Sequence, residues 1–213
     1  MAPALDVTLV GQEMAACAAL GAALGGARAL FPEKGRAAFL PDVLLVGALL
    51  LGPKKGAILG ALFGLTSFIN NSFVSPNATS FVFTPLYSVG DFHGNFWSLV
   101  ICFVPRILVG IVPYYVYKLF RKLLKERKGS ETVSLALAGM SGALVNTLLV
   151  MNLIYFCFGA QYAAAKEAAY EGFYWVILTV IGTNGVPEAI VAAILTAAIC
   201  KALFRVQKRG AAA

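Results

Sequence analysis

The sequence has few charged residues. Asp, Glu, Lys and Arg make up 13% of the 213 positions, whereas about 25% is usual in a soluble domain. Hydrophobic residues reach 60% and the mean hydropathy is +0.81. This composition excludes an ordinary soluble protein and indicates an integral membrane protein. Each membrane span needs about 20 apolar residues, so the chain has room for about six spans and no separate soluble domain.

Residues for metal, redox and nucleotide chemistry are also scarce. His93 is the only histidine, and the four cysteines are isolated in apolar runs without CxxC spacing. Neither a disulfide framework nor a metal site is therefore expected. The segment GPKKGA lacks the spacing and the hydroxyl residue of a P-loop, and neither GxSxG nor HExxH occurs. These absences argue against an enzyme and place any ATP hydrolysis in another chain.

Apolar runs predict an all-α bundle of six transmembrane helices in a single membrane domain, residues 1–213, with a basic tail at 206–213. The predicted helices are residues 7–30, 40–52, 54–72, 95–120, 133–158 and 172–205. Glycine and proline in the segment LGPKKG stop one helix and start the next. A tight hairpin is therefore expected between the second and third helices.

The basic residues are distributed unevenly between alternate loops. Of the 17 Lys and Arg residues, one set of loops holds about twelve and the other about four, which by the positive-inside rule places both termini in the cytoplasm. Loops 31–39, 73–94 and 159–171 then face outward. The net charge of +7 thus marks a cytoplasmic, lipid-facing surface and does not indicate a nucleic-acid partner.

Loop 73–94 is the longest connection, and it lies between the third and fourth predicted helices. Ser75 to Thr79 form a turn signal, and Ser80 to Thr84 alternate as in an extended or hairpin-like segment. The loop also carries several aromatic rings, which favour packing over disorder. Together these features predict an external lid.

Polar side chains inside the predicted spans indicate a ligand pocket. Arg106 lies roughly 16 Å below the outer end of the fourth helix, and Asn184 reaches a comparable depth in the sixth. Asn146 and Asn152 lie on the fifth helix, so all four are expected to converge in the outer half. The guanidinium suits a carboxylate and the amides suit hydroxyl or amide groups. Alternatively, Arg106 pairs with Glu188 and the asparagines bond to backbone.

Four further residues complete the candidate ligand contacts. Asn77 and Phe81 lie in the lid, and Trp97 and Trp175 lie near the predicted outer interface. For the two tryptophans the alternative interpretation is an aromatic belt at the membrane surface.

The first predicted helix carries alanine at every fourth position, namely Ala15, Ala19 and Ala23. Small residues at this spacing allow another helix to approach closely. The stripe is either a docking face for another membrane subunit or a packing face within the bundle. A similar stripe of Ser134, Ala138 and Gly142 on the fifth helix favours internal packing.

Three blocks of sequence, together with the alanine-rich first helix, resemble one family. They are LPDVLLVGALLLGPKKGAILGALFGL, SFINNSFVSPNATSFVFTPLYSVGDFHGN and VPRILVGIVPYYVYK. Residues 9–205 are similar to the substrate-binding S components of energy-coupling factor (ECF) vitamin transporters. The resemblance implies a six-helix fold, an outward vitamin pocket and high-affinity binding without ATPase activity.

The resemblance also implies partners. A membrane-embedded T component would contact Ala15, Ala19 and Ala23, and two cytoplasmic ATPases would use ATP and Mg²⁺. The chain itself would hold no cofactor and would lie in a bacterial plasma membrane.

The lid and the VPRILVG segment are most similar to pantothenate-type members. An arginine near three asparagines suits pantothenate, which carries a carboxylate, hydroxyls and an amide. Other S components take a pyrimidine or pyridoxine precursor, riboflavin, folate or cobalamin. Outside this class, a stand-alone secondary transporter would usually contain internal repeats, and none is found. A membrane enzyme is disfavoured because no acid–base pair is visible.

Overall fold

The computed structural model describes residues 40–124, 129–165 and 172–210. The first predicted helix, with Ala15, Ala19 and Ala23, and loop 31–39 lie outside the described residues. The described part is mainly helical, with α1 (Leu40–Leu51), α2 (Pro53–Ile69), α3 (Phe96–Val109), α4 (Val112–Leu123), α5 (Ser130–Ala165), α6 (Phe173–Val180) and α7 (Val186–Gly210).

Four stretches are long and apolar enough to cross a bilayer: Pro53–Val74, Phe96–Leu123, Ser130–Ala164 and Phe173–Phe204. They correspond to the third to sixth predicted helices, and α1 corresponds to the second. The prediction of an all-α integral membrane protein is confirmed. The tight hairpin between α1 and α2 is also present, and Gly52 turns the chain there with a φ of 84°.

Two predicted helices are interrupted. The fourth divides into α3 and α4 because Pro113, at the start of α4, has no N–H to continue the helical ladder. The sixth divides into α6 and α7 at a π-helical turn, Ile181–Gly185. The fifth is longer than predicted, since α5 continues to Ala165 and takes up the first part of the predicted loop 159–171.

The described helices enclose four hydrophobic clusters, three of which follow one another from one end of the bundle to the other. At the end of the bundle where the basic residues lie, Lys201 Nζ donates a 3.0 Å hydrogen bond to Thr132 Oγ1 and so joins the end of α7 to the start of α5. The middle cluster joins Val109, Ala143 and Ala189. The cluster at the opposite end contains Phe81, Ile101, Val150, Ile154 and Phe158.

The predicted small-residue stripe on α5 packs inside the bundle. Ser134 and Ala138 are fully buried, and a Cβ at Gly142 would overlap the side chain of Leu45 on α1. Internal packing of this stripe is confirmed.

A second small-residue stripe brings α2 against the backbone of α3. Gly56, Gly60 and Gly64 recur every fourth residue and are buried. A Cβ at Gly56 would overlap the carbonyl oxygen of Gly110, and a Cβ at Gly60 would overlap that of Arg106. The two helices approach this closely because α2 presents no side chains along the line of contact.

We expect Gly56→Ala to lower the free energy of unfolding by about 1 to 3 kcal/mol, because the added methyl group meets backbone that cannot move aside. Gly182→Ala is the matched control, since nothing lies within 4 Å of a Cβ at that position. Unfolding of both variants in detergent micelles measures the difference. Equal stability of Gly56→Ala and the unsubstituted protein would contradict the close approach.

Candidate functional site

The connection between α2 and α3 is closely packed against the bundle. After α2 the chain makes a π-helical turn, Asn70–Val74, and then a segment from residue 75 to 95 that we call the cap segment. Within it, Phe81 is fully buried, with its ring centroid 5.8 Å from that of Phe92 and 5.8 Å from that of Phe158 on α5. The cap segment is therefore held by the hydrophobic core beneath it.

Hydrogen bonds tie the cap segment to the ends of two helices. Ser72 Oγ donates to Thr84 Oγ1 at 2.8 Å, and Ser80 Oγ donates to Asn71 Oδ1 at 3.1 Å. On the other side, Ser98 Oγ of α3 donates to the Phe81 carbonyl at 2.8 Å. These bonds satisfy polar groups that would otherwise be buried without partners.

The extended conformation predicted for Ser80 to Thr84 is wrong. Ser80–Val82 form a 3₁₀ turn, and the short hairpin lies further on, where Ser88–Val89 pair with Phe92–His93. The reason is that the Ser80 and Thr84 hydroxyls bond to the cap segment and the π turn, which an extended strand would not allow.

Arg106 lies below the cap segment and is only 8% exposed. Its Nη1 donates a 2.9 Å hydrogen bond to the carbonyl of Ile101 on the same helix. Two rings cover the guanidinium, whose central carbon is 5.9 Å from the Phe63 ring centroid and 5.3 Å from that of Phe83. Phe63 belongs to α2 and Phe83 to the cap segment, so three elements surround one cation.

These described neighbours of Arg106 are a carbonyl and two rings, with no carboxylate among them. The alternative prediction was an ion pair with Glu188, and no such pair is found among these described contacts of the guanidinium. Arg106 Nε is buried and has no hydrogen-bond partner.

The contacts between α3 and α5 identify what lies beside Arg106. Ile101 shares a hydrophobic cluster with Val150, and Val109 shares another with Ala143. The two helices therefore run antiparallel, and the stretch of α3 that contains Arg106 lies against residues 144–149 of α5.

Asn146 lies in this stretch of α5, and its Oδ1 is buried without a hydrogen-bond partner. The next residue, Thr147, contacts the π turn before α7, because a Cβ on Gly185 would lie 2.9 Å from Thr147 Cγ2. Arg106 thus carries an unpaired buried donor and Asn146 an unpaired buried acceptor, on neighbouring stretches of α3 and α5.

The other predicted polar residues have different surroundings. Asn152 donates its amide hydrogen to the Leu148 carbonyl on its own helix at 2.7 Å. Asn184 is exposed on the π turn that precedes α7. The Asn77 side chain accepts a 3.0 Å hydrogen bond from the Thr79 backbone and so shapes the turn at the start of the cap segment.

The aromatic candidates differ in their burial. Phe81 is buried in the core, whereas Trp97 is 51% and Trp175 is 74% exposed. Nine residues separate Trp97 from Arg106 along α3, which is about 14 Å of helix rise. Neither Phe63 nor Phe83 was predicted to lie beside Arg106, because aromatic side chains are common in membrane helices and loops and carry no local signal of such a role.

Fold and site together define a class. The chain is a multi-pass helical membrane protein with a buried cationic site under a packed cap segment. The family model described as "ECF transporter, substrate-specific component" matches residues 13–200. The chain therefore belongs to the substrate-specific components of ECF transporters.

Two curated relatives are similar over most of the chain. The pantothenic acid transporter PanT of Lactococcus lactis subsp. cremoris is 38% identical over 176 residues, which cover 82% of this chain and 80% of the relative. The pantothenate transporter PanT of Leuconostoc mesenteroides subsp. mesenteroides is 26% identical over 170 residues, covering 77% of this chain and 73% of the relative.

We expect Phe81→Ala to lower the free energy of unfolding by about 3 to 5 kcal/mol, because it leaves a cavity between the cap segment and α5. Phe73→Ala is the matched control, since Phe73 is 70% exposed at the start of the same connection. Thermal unfolding in detergent compares the two variants. A loss of stability no larger than that of the control would show that the cap segment is not held by the core.

Proposed function

We propose that this chain is the pantothenate-binding S component of an ECF transporter, with six transmembrane helices and the cap segment as its external lid. The vitamin would be captured from outside a bacterial plasma membrane. ATP would be hydrolysed by two partner ATPases, with a T component linking them to this chain.

One observation carries the choice of ligand chemistry. Arg106 Nε is a buried donor without a partner, and Asn146 Oδ1 is a buried acceptor without a partner on the neighbouring stretch of α5. Unpaired buried polar groups are costly, and each is expected to have a partner in the functional state. A ligand that supplies both a carboxylate and an N–H or O–H group would satisfy the pair.

Pantothenate has this combination of groups. Its carboxylate would accept hydrogen bonds from the guanidinium of Arg106, and its amide N–H or a hydroxyl would donate to Asn146. The rings of Phe63 and Phe83 would hold the guanidinium plane and exclude water from the charged pair. Both curated relatives are named as pantothenate transporters, which supports the same ligand.

The distribution of charge supports the proposed orientation. Lys118 and Lys122 at the end of α4 and Lys201 near the end of α7 lie at the end of the bundle opposite the cap segment. The positive-inside rule would place that end in the cytoplasm, together with both termini. The cap segment and the site below it would then face outward.

We expect the purified chain to bind pantothenate, and Arg106→Gln to weaken binding by about 1.5 to 3 kcal/mol, or about ten- to 150-fold in Kd. The reason is the loss of a charged hydrogen bond to the carboxylate. Isothermal titration in detergent measures the affinity. The alcohol analogue, in which a hydroxymethyl group replaces the carboxylate, should bind both forms about equally.

Lys118→Gln is the control for this variant, because it removes an exposed cation at the basic end of the bundle. Its affinity for pantothenate should equal that of the unsubstituted chain. Undiminished affinity in Arg106→Gln would refute the role of the arginine. Binding of riboflavin, folate, cobalamin or a pyridoxine precursor in place of pantothenate would reassign the substrate.

Docking on the T component is proposed for Ala15, Ala19 and Ala23. We expect Ala15→Trp or Ala19→Trp to abolish pantothenate uptake by cells and to leave ligand binding intact, because an indole ring prevents close approach of a partner helix. Ile194→Trp, at a 63% exposed apolar position of α7, is the control. Normal uptake in both alanine variants would disprove docking through this stripe, and uptake without any T component or ATPase would indicate a secondary transporter.

A further inference from the structure

Pro105 lies inside α3, immediately before the buried arginine. In a regular α-helix the N–H of residue 105 would donate to the carbonyl of residue 101. Proline has no N–H, so the Ile101 carbonyl loses its normal helical donor. An unpaired carbonyl is thus created one turn from Arg106, on the side of the cap segment.

The Arg106 side chain takes the place of the missing donor. Its Nη1 donates to this same carbonyl at 2.9 Å. The bond turns the guanidinium back along α3 toward the cap segment, where Phe83 covers it. Pro105 thus frees the carbonyl oxygen to which Arg106 donates.

This bond also decides which edge of the guanidinium is left for a ligand. Nη1 is the nitrogen cis to Cδ, and it is the one used by the Ile101 carbonyl. The opposite edge carries Nε and Nη2, whose parallel N–H groups fit a carboxylate side-on. Nε is the atom that the structure leaves buried without a partner.

We infer that Pro105 is a positioning residue for the ligand: by freeing the Ile101 carbonyl, it fixes the guanidinium with its Nε edge toward the bound carboxylate. The inference rests on the proposed function only in taking the ligand to be a carboxylate. Pro105 itself makes no contact with the ligand and acts through Arg106.

Pro105→Ala tests this role, because alanine restores the N–H that competes with Nη1 for the Ile101 carbonyl. The helix gains a hydrogen bond, so we expect thermal stability in detergent to be equal or higher. The affinity for pantothenate should fall about tenfold, as expected when part of a charged hydrogen bond is lost. The affinity for the alcohol analogue should stay within about twofold of that of the unsubstituted chain, because this analogue has no carboxylate to accept a hydrogen bond from Arg106.

The ratio of the two affinities separates positioning from a purely structural role. A distorted bundle would weaken both ligands by the same factor and leave the ratio unchanged, and that result would overturn the inference. Pro105→Leu, which also restores the N–H but keeps more volume, should give the same lowered ratio. An unchanged ratio in either of these folded variants would overturn it as well.

Two further variants complete the experiment. Pro113→Ala removes a proline at the first turn of α4, where a helix can lack the N–H without loss, and it should leave the ratio unchanged. Arg106→Gln should remove the preference for pantothenate over the alcohol analogue. Absence of pantothenate binding by the unsubstituted chain refutes the proposed function. A preference retained in Arg106→Gln refutes the role of the arginine and the positioning role with it, whereas a preference lost there but retained in Pro105→Ala refutes only the positioning role.

Discussion

The burial of one guanidinium inside an apolar bundle is the constraint on which the rest of the structure depends. A charge removed from water needs partners, and inside a membrane protein it has to find them in the protein or in a ligand. Arg106 obtains a carbonyl from its own helix, one ring from α2 and one ring from the cap segment. Three elements therefore meet at a single side chain, and one of its donors still lacks a partner.

Backbone features make this arrangement fit. Gly60 has no side chain, so α2 can lie against the Arg106 carbonyl, and Phe63, almost one turn further on, then reaches the guanidinium. On the other side, the 3₁₀ turn directs Phe81 into the core while Phe83 covers the arginine. The same turn therefore anchors the cap segment and completes the wall of the site.

Hydropathy and charge predicted the helices because both are local properties of the chain. The depth of Arg106 followed from counting residues along one helix. The turn at Ser80–Val82 could not be predicted in this way, because Ser80, Phe81 and Val82 are all buried, whereas successive residues of a half-buried strand alternate between core and solvent. That turn depends on the side chain of Asn71 in the preceding π turn and on the ring of Phe158, which lies far away in sequence.

The neighbours of Arg106 were beyond prediction for the same reason, but two signals could have been used. Gly56, Gly60 and Gly64 have the spacing of a close helix contact, as clear as that of the alanine stripe on the first predicted helix. Pro105 next to Arg106 leaves a helix carbonyl free beside a strong donor. Both are local patterns in the sequence, and both lie in contact with or next to the buried arginine.

Under the proposed function, the atoms without partners would give the site its selectivity. Leaving Arg106 Nε and Asn146 Oδ1 without partners costs the empty protein free energy, which a ligand recovers only if it brings both a carboxylate and a hydrogen-bond donor. An analogue without the carboxylate would leave Nε unpaired. Its loss of affinity would exceed the attraction that the carboxylate itself provides, because a site with buried polar groups discriminates strongly against ligands that leave those groups unpaired. Phe83 of the cap segment covers the same guanidinium, so under the proposed function this recovery would depend on the packed position of the cap segment. A carboxylate ligand that bound only that arrangement would stabilise it by mass action, so recognition at Arg106 and packing of the cap segment would be thermodynamically linked.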